Sequence, residues 1–560
     1  MFTRRLFSTH ALRRRGIRRL STAISVATLF ALLAVLVSAC APAATSIPST
    51  SDASTSVPVT RVAEATVVLR EEMLVAPTII AAAQAPVPGT PCCSTGGNTT
   101  VNGEPYDATF FENYGTNPFI DTEDDHLSTF ALDVDTASYT VIRRFLRDGN
   151  WPDKDAVRVE EVVNYFDWRY ADPEEGAFSL HLEGAPSPFG GDKYWLVKIG
   201  VQGRHINTEQ RQDAMLTFVI DVSGSMAAEN RLGMVKRALH LLVNELRSSD
   251  RVAIVVYGSD ARMVLPPTRA SNSETILEAI DRLEPEGATN AAAGLQLAYQ
   301  IASEAYREGE INRLILCSDG VANVGVTGAD EILATIERFA RRNIALSTVG
   351  FGMGNFNDVM MEQLADKGNG NYAYVDTLEE ARRIFVENLT GTLQTIAKDA
   401  KMQVEFNPQV VSRYRLLGYE NRDVADRDFR NDKVDAGEVG AGHSVTALYE
   451  IKFHDSARLA EQALVARIRY QDPTSGEVME QEAALAGDDF EARFEAASAH
   501  FQLAAAVAEY AEILRQSYWA KESRMSDVQA LVRRLTDDLP QDEQVNDFLD
   551  LVNRAAALQR

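Results

Sequence analysis

Four short, continuously apolar runs mark the middle of the chain, between residues 206 and 397. They are "MLTFVID", "RVAIVVYG", "RLILCSDG" and "IALSTVGFG". Runs of this kind are typical of parallel strands that are buried on both faces. Amphipathic stretches lie between them, and in "RLGMVKRALHLLVNEL" the residues Val235, Leu239, Leu242 and Leu246 share one face. Because strand and helix alternate, the pattern predicts a doubly wound, Rossmann-like α/β domain.

The flanking regions, residues 113–205 and 398–485, show a different pattern. "FSLHLEGA" and "YWLVKIGV" before the α/β domain, and the stretch from Met402 to Phe406 after it, alternate apolar and polar positions as antiparallel strands do. The pair of strands at 178–203 would be marginally stable alone, and the strands from 402 to 470 also need partners. We therefore expect one β-sandwich-like domain, assembled from both sides of an inserted α/β domain.

Three further patterns complete the folded body. Apolar residues at Phe490, Phe494, Ala497, Phe501 and Val507 predict that the region 486–560 is helical. Ser271 and Glu274 have the spacing of a capping box before the helix "TILEAIDRL". The stretch "NRDVADRDFRNDKVDAGEVGAG" holds six acids and four bases without the spacing of a calcium loop, which predicts a solvated connection.

The N-terminal 112 residues differ from the rest of the chain. Residues 1–39 contain seven arginines and no acid, with the apolar run "ISVATLFALLAVLV" after the arginines, a pattern that predicts an export signal peptide. The next letters, "SAC", place Cys40 directly after small residues, and this arrangement resembles the lipobox of bacterial lipoproteins. The resemblance implies cleavage before Cys40 and lipidation of its sulfur. Residues 40–112 are rich in Ser, Thr, Ala and Pro, which predicts a low-complexity tether with a short ordered piece at "ATVVLREEMLV".

Charge narrows the range of partners. The whole chain has 55 basic and 80 acidic residues, and without the first 39 residues the formal net charge falls from −25 to about −32. An acidic surface repels phosphate backbones, so nucleic acid is excluded as a favoured partner and divalent cations are favoured instead. Cys92, Cys93 and Cys317 form no visible disulfide framework, and Cys317 fits a small core residue.

Candidate chemistry lies at the ends of the predicted central strands. "IDVSGSM" places Asp221, Ser223 and Ser225 directly after the first strand, Thr289 in "GATN" precedes a helix that starts near Ala291, and Asp319 in "CSDG" ends another strand. Ligands of open α/β sheets bind at the carboxyl ends of strands. These five oxygen-bearing side chains therefore could converge above one edge of the sheet. Taken alone, "DVSGS" could equally be a turn.

Carboxylate and hydroxyl oxygens suit a small, hard cation. Mg²⁺ prefers such ligands, with Mn²⁺ and Ca²⁺ as alternatives. Two carboxylates roughly balance the charge of the ion, and three neutral hydroxyls leave it electrophilic. A water in the remaining position could be displaced by an incoming carboxylate. The pattern therefore predicts a binding site for a partner's Asp or Glu.

The five residues resemble the metal-ion-dependent adhesion site (MIDAS) of von Willebrand factor type A (VWA) domains. Its D-x-S-x-S, threonine and aspartate elements correspond to Asp221, Ser223, Ser225, Thr289 and Asp319. The flanking stretches "NPFIDTEDDHLSTFALDVDTASYTVIRRFL" and "YRLLGYENRDVADRDFRNDKVDAGEVGAGHSVTALYEI" resemble a bacterial lipoprotein family that has an N-terminal VWA-associated region and a C-terminal domain of unknown function. Ala288 departs from the pattern, since many relatives have a second glycine there.

Three functions follow from these patterns. The first is an exported lipoprotein, anchored to the membrane through Cys40, that binds a protein partner through a divalent cation. The second is a structural or assembly protein of the envelope, in which a metal serves stability alone. The third is a metal-dependent hydrolase, although H-E-x-x-H, G-x-S-x-G and P-loop signatures are missing and His443 in "GAGHSVTALYE" has no marked nucleophile beside it. We expect no enzymatic activity.

Overall fold

The computed structural model describes residues 109–132, 134–191, 193–320, 329–353 and 356–559. The predicted signal peptide, Cys40, the tether and the segment "ATVVLREEMLV" lie outside the described residues. The strands are β1 (Ile120–Asp121), β2 (Leu127–Ala131), β3 (Phe178–Pro186), β4 (Trp195–Gly203), β5 (Ala214–Asp221), β6 (Arg251–Tyr257), β7 (Ala261–Arg269), β8 (Ile311–Ser318), β9 (Ala345–Phe351), β10 (Tyr372–Val375), β11 (Thr395–Phe406), β12 (Val411–Leu417), β13 (Gly437–Gly440), β14 (Ser444–Phe453), β15 (Gln462–Gln471) and β16 (Val478–Ala486).

The helices differ greatly in length, and the last three follow the final strand. They are α1 (Ala137–Arg147), α2 (Val159–Asn164), α3 (Arg231–Glu245), α4 (Ser273–Asp281), α5 (Ala291–Ala305), α6 (Ala329–Ala340), α7 (Asp358–Lys367), α8 (Leu378–Arg382), α9 (Leu389–Leu393), α10 (Ala499–Leu514), α11 (Met525–Asp538) and α12 (Glu543–Leu558). A π-helical turn, Arg383–Glu387, joins α8 to α9, and β11 follows directly.

The central sheet has the strand order β10-β9-β8-β5-β6-β7. Neighbouring strands are parallel except for the edge strand β7, which runs antiparallel to β6. Apolar residues of α3 and α4 cover one face of the sheet, and those of α5 and α7 cover the other. Burial on both faces explains the uninterrupted apolar runs. The predicted doubly wound α/β domain is confirmed.

A β-sandwich flanks the central domain. One sheet has the order β1-β12-β14-β4-β3, and the other has the order β13-β11-β15-β16 with β2 also paired to β11. In the first sheet β4 lies antiparallel to β14, so strands from before and after the α/β domain share the same sheet. Side chains such as Ile199, Val404 and Ile468 meet in one core between the sheets. The expected sandwich, built from both sides of an insert, is confirmed.

The C-terminal region is helical, but its first helix begins later than expected. Phe490 and Phe494 lie before α10, which starts at Ala499 with Ser498 as its N-cap. Phe490 instead packs against the side chains of the sandwich, where its ring meets Trp195 and Phe453. The aromatic residues of this pattern therefore belong to two different parts of the fold, the sandwich and the helical region. The prediction of a helix from Phe490 onward is wrong up to the start of α10.

Two local predictions are also wrong. Ser271 does not cap the helix: α4 begins at Ser273, its N-cap is Asn272, and no side chain caps it, because residues 270–272 form a 3-10 turn. The charged stretch 421–442 is not simply solvated. Its Val424 and Phe429 are buried, and β13 pairs with β11. Tertiary packing of these apolar residues decides the conformation of the stretch.

Buried ion pairs join the N-terminal region to the central domain. Arg158, just before α2, forms ion pairs with Glu161 and, at 2.6 Å, with Asp358 of α7. Arg143 of α1 bonds Asp376 at 2.5 Å and Glu380 of α8 at 2.8 Å. All of these side chains are buried. Because a buried charge requires its partner, these pairs fix the orientation of α1 and α2 against the central sheet.

Two further findings concern the described residues. Cys317 is buried in β8, and burial raises the pKa of its thiol to about 12, which agrees with the predicted core role. Among the helices that the structure describes, none has both the length and the apolar composition needed to cross a membrane.

Candidate functional site

Asp221 ends β5 and is fully buried. Its Oδ1 accepts a hydrogen bond from the backbone N–H of Ser223 at 2.8 Å, and its Oδ2 accepts from the hydroxyls of Ser318 at 2.9 Å and Tyr257 at 3.2 Å. Burial raises the pKa of the Asp221 carboxyl, hydrogen bonds from Ser223 lower it, and the charge of Asp319 raises it again. No cation among the described residues pairs with Asp221.

The two serines lie on the loop that follows. Ser223 is buried, and its Oγ lies 3.1 Å from the Oγ of Ser225. The backbone N–H of Gly224 between them donates to the carbonyl of Gly287 at 3.2 Å. This bond joins the serine loop to the loop that carries Thr289.

Thr289 lies half-buried at the end of that second loop, two residues before α5. The loop is held against the end of β6, because the Ala288 N–H donates to the Ser259 hydroxyl at 3.0 Å and the Asn290 N–H donates to the Gly258 carbonyl at 2.9 Å. Gly287 has a φ of +71°, whereas Ala288 is not in the left-handed region. An alanine at position 288 is therefore accommodated without strain.

Asp319 follows β8 and is also buried, but its environment differs from that of Asp221. Its Oδ2 lies 2.6 Å from Nη1 of Arg231, the first residue of α3. The second guanidinium nitrogen, Nη2, donates to the carbonyl of Met353, two residues after β9. One of the two carboxylates of the site therefore has a cationic partner, and the other does not.

The structure thus brings the predicted residues to neighbouring loops at one edge of the central sheet. Asp221, Ser223 and Ser225 share one loop, Thr289 lies on the loop bonded to it, and Asp319 is near enough to perturb the pKa of Asp221. Sequence reasoning missed three participants, namely Arg231, Ser318 and Tyr257. Arg231 resembles any charged residue near the start of a helix, so no local signal marks it.

The donor set fits a hard divalent cation. It consists of carboxylate and hydroxyl oxygens, and one fully buried carboxylate lacks a positive partner. The site is not a cluster of acids or histidines, since no group of three or more His, Cys, Asp or Glu side chains in the described ranges is placed to hold a metal ion. The residues that bond the two carboxylates include no histidine.

A cavity lies elsewhere, at the junction of the central domain with the sandwich and α12. Its volume is about 810 Å³, and none of the five predicted residues lines it. His443 lines it, and the pKa of His443 is lowered to about 4 by burial and by the nearby charges of Arg383 and Arg313. This imidazole is therefore neutral at physiological pH.

Three family models match separate parts of the chain. A model described as von Willebrand factor matches residues 105–198, and one described as von Willebrand factor type A domain matches residues 216–321. A third, described as the C-terminal part of the uncharacterized protein YfbK, matches residues 391–558. The chain therefore has a central domain of the VWA type, and its C-terminal part is similar to the C-terminal part of YfbK.

The chain is also similar to individual proteins and to solved structures. The chain is 41% identical over 368 residues to the uncharacterized protein YfbK of Escherichia coli (strain K12), a match that covers 64% of this chain and 63% of the relative. It is 25% identical over 288 residues to sll0103 of Synechocystis, covering 50% of this chain and 67% of the relative. A solved von Willebrand factor type A structure from Catenulispora acidiphila is similar over 68% of this chain and 90% of its own, with 13% identity and a TM-score of 0.42. The match to YfbK spans less than two thirds of the length of that relative.

Proposed function

We propose that the protein binds an acidic protein partner through a divalent cation held by Asp221, Ser223, Ser225, Thr289 and Asp319. Proteins with VWA domains often mediate protein interactions. The observation that carries the proposal is the fully buried Asp221 carboxylate, which has hydrogen-bond donors but no cationic partner in the described part of the chain. A buried carboxylate of this kind is unfavourable until a positive charge compensates it.

The cation is Mg²⁺ in this proposal, with Mn²⁺ and Ca²⁺ as substitutes. When bound, it supplies a Lewis-acidic position for an incoming carboxylate. The residues of the chain hold and orient the site: Ser318 and Tyr257 fix the Asp221 carboxylate, and the Gly224–Gly287 bond fixes the two loops against each other. A partner that presents Asp or Glu completes the site. The chain is acidic, and an acidic partner would be repelled by it. A bound cation would offset this repulsion at the point of contact.

We also propose that lipid on Cys40 holds the protein at the cell envelope. The proposal rests on the basic and apolar start of the chain and on the small residues before Cys40. Mass spectrometry of the mature N-terminus should find a diacylated cysteine, and Cys40→Ala should release the protein from membranes or block its processing. A processed protein that stays at the membrane without lipid would contradict this anchor.

The binding proposal is tested by capture from envelope extract. Wild type, Asp221→Asn and the control Asp281→Asn are immobilised and exposed to extract with Mg²⁺ or with EDTA. Asp281 is an exposed aspartate that pairs with His240 on the same domain, so its substitution controls for the loss of one acidic charge. We expect wild type and the Asp281→Asn control to capture the same proteins in the presence of Mg²⁺. These proteins should be lost when EDTA is added and should not be captured by Asp221→Asn.

The alternatives predict other outcomes. If every captured protein survives both EDTA and Asp221→Asn, the cation has no part in binding, and a structural role is favoured. The folded state of each variant is checked first by circular dichroism, so that a lost interaction can be assigned to the site. Metal-dependent hydrolysis would require a general base, and the described partners of the two carboxylates include no histidine for that role.

A further inference from the structure

Arg231 is built into the candidate cation site. Its side chain is buried, its Nη1 lies 2.6 Å from Oδ2 of Asp319, and its Nη2 donates to the Met353 carbonyl. Gly352, with a φ of +78°, lies directly against the Arg231 side chain, and a Cβ at this position would overlap the guanidinium and the carbons beside it. The backbone at the end of β9 is thus shaped around the guanidinium.

The guanidinium changes the charge balance of the site. Asp221 and Asp319 contribute two negative charges and Arg231 contributes one positive charge, so the buried residues carry a net charge of −1. A divalent cation brings the net charge to +1, and a carboxylate from a partner then brings it to zero. Without the charge of Arg231, the cation alone would neutralise the site, and the partner's carboxylate would leave it negative. Such differences are large in a buried, poorly screened site.

We propose that Arg231 sets the ligand preference of the site: its charge weakens binding of the divalent cation to the free protein and strengthens binding of a carboxylate to the cation-loaded protein. This inference rests on the proposed function, because it concerns the same cation. Its consequence is that the cation and the acidic partner bind cooperatively. The cation alone leaves an excess positive charge, and each ligand therefore favours the other.

A purely positioning role for Arg231 predicts a different result. If the ion pair only orients Asp319, loss of the guanidinium should weaken both the cation and the carboxylate. If the charge of Arg231 acts as proposed, its loss should strengthen binding of the cation and weaken binding of the carboxylate. The sign of the two changes therefore separates these roles, independently of any effect on stability.

The test uses Mn²⁺ as the cation and acetate as the carboxylate. Isothermal titration gives the Mn²⁺ affinity of the whole protein, and the water-proton relaxation of protein-bound Mn²⁺ gives the acetate affinity, because acetate displaces bound water. The variants are Arg231→Gln, which removes the charge, and Arg231→Lys, which retains it. Arg237→Gln is the matched control, since Arg237 is exposed on the same helix.

For Arg231→Gln we expect Mn²⁺ to bind about tenfold more tightly and acetate about tenfold more weakly than in wild type. Arg231→Lys and Arg237→Gln should stay within about threefold of wild type for both ligands. Unchanged affinities in Arg231→Gln, a change of both in the same direction, or a Lys variant that behaves like Gln would overturn the inference while leaving the proposed function intact. Absence of Mn²⁺ binding by wild type would instead refute the proposed function, and the inference with it.

A measurement on wild type keeps the inference testable if Arg231→Gln does not fold. The charge of Arg231 can act in this way only if its guanidinium stays beside Asp319 when the cation is bound. A crystal structure of Mn²⁺-loaded wild type should therefore retain the Arg231–Asp319 ion pair. A guanidinium displaced from Asp319 in that structure would overturn the inference.

Discussion

Replacing Asp221 with Asn should abolish the stabilisation of the protein by Mg²⁺ without destabilising the metal-free protein. At a Mg²⁺ concentration about 100 times its Kd, wild type should gain about 2.7 kcal/mol in unfolding free energy through binding to the native state. Asn cannot supply the charge that the cation requires. In the metal-free protein it also removes a buried carboxylate whose pKa is raised by burial, so little stability should be lost. Thermal unfolding with increasing Mg²⁺ measures both effects.

The control for this experiment is Asp281→Asn. Asp281 lies on the surface near the end of α4, and its loss should leave the Mg²⁺-dependent rise in Tm equal to that of wild type. An equal rise in Asp221→Asn would show that Mg²⁺ stabilises the protein from another place. A large fall in the stability of metal-free Asp221→Asn would show that the hydrogen bonds to Asp221 matter more than its buried charge.

Replacing Arg158 with Met should strongly destabilise the protein at the junction of the N-terminal region with the VWA domain. Arg158 is buried between Glu161 and Asp358, and Glu362 lies 3.7 Å away. Removing the guanidinium would leave buried carboxylates without their counter-charge, which costs about 3–5 kcal/mol. Chemical denaturation at neutral pH should show this loss as a lower midpoint.

Arg282→Met is the matched control for that experiment. Arg282 pairs with Glu278 on the exposed surface of α4, and both side chains are more than half exposed to solvent. Such a pair contributes little, so the change should stay below about 0.5 kcal/mol. An equally small effect of Arg158→Met would contradict the view that buried ion pairs fix the N-terminal region against the VWA domain.

Much of the fold could be predicted because burial leaves a periodic signal. The strands β5, β6, β8 and β9 appear in the sequence as unbroken apolar runs, since helices cover both faces of their sheet. The sandwich followed from a need for partners: β4 could not be stable with β3 alone, and it pairs with β14.

Elements whose conformation depends on distant contacts could not be predicted. β13 lies in a stretch rich in glycine and acids, with no strand periodicity, and it forms because it pairs with β11. At Ser271 the residues have the spacing of a capping box, yet a 3-10 turn occupies the position and α4 begins two residues later. Local spacing predicts a cap only when the backbone before the helix is free to adopt it.

In the candidate site, too, some residues could be predicted from the sequence and others could not. Asp221, Ser223 and Ser225 are close in sequence, so one loop brings them together. The end of β8 places Asp319 nearby, and the loop before α5 does the same for Thr289. Arg231 and Tyr257 reach the carboxylates from α3 and β6, and nothing in their own neighbourhoods distinguishes them from core or surface residues. Their roles depend on the packing of several loops at one edge of the sheet.

The most direct test of the proposed site is anomalous diffraction from crystals of wild type grown with Mn²⁺. We expect one strong anomalous peak bounded by the oxygens of Asp221, Ser223 and Ser225, with Thr289 and Asp319 in contact with the ion directly or through water. Crystals of Asp221→Asn grown in the same way should lack that peak. A wild-type map without a peak there, although Mn²⁺ is present in excess, would contradict the central claim that these five residues hold a divalent cation.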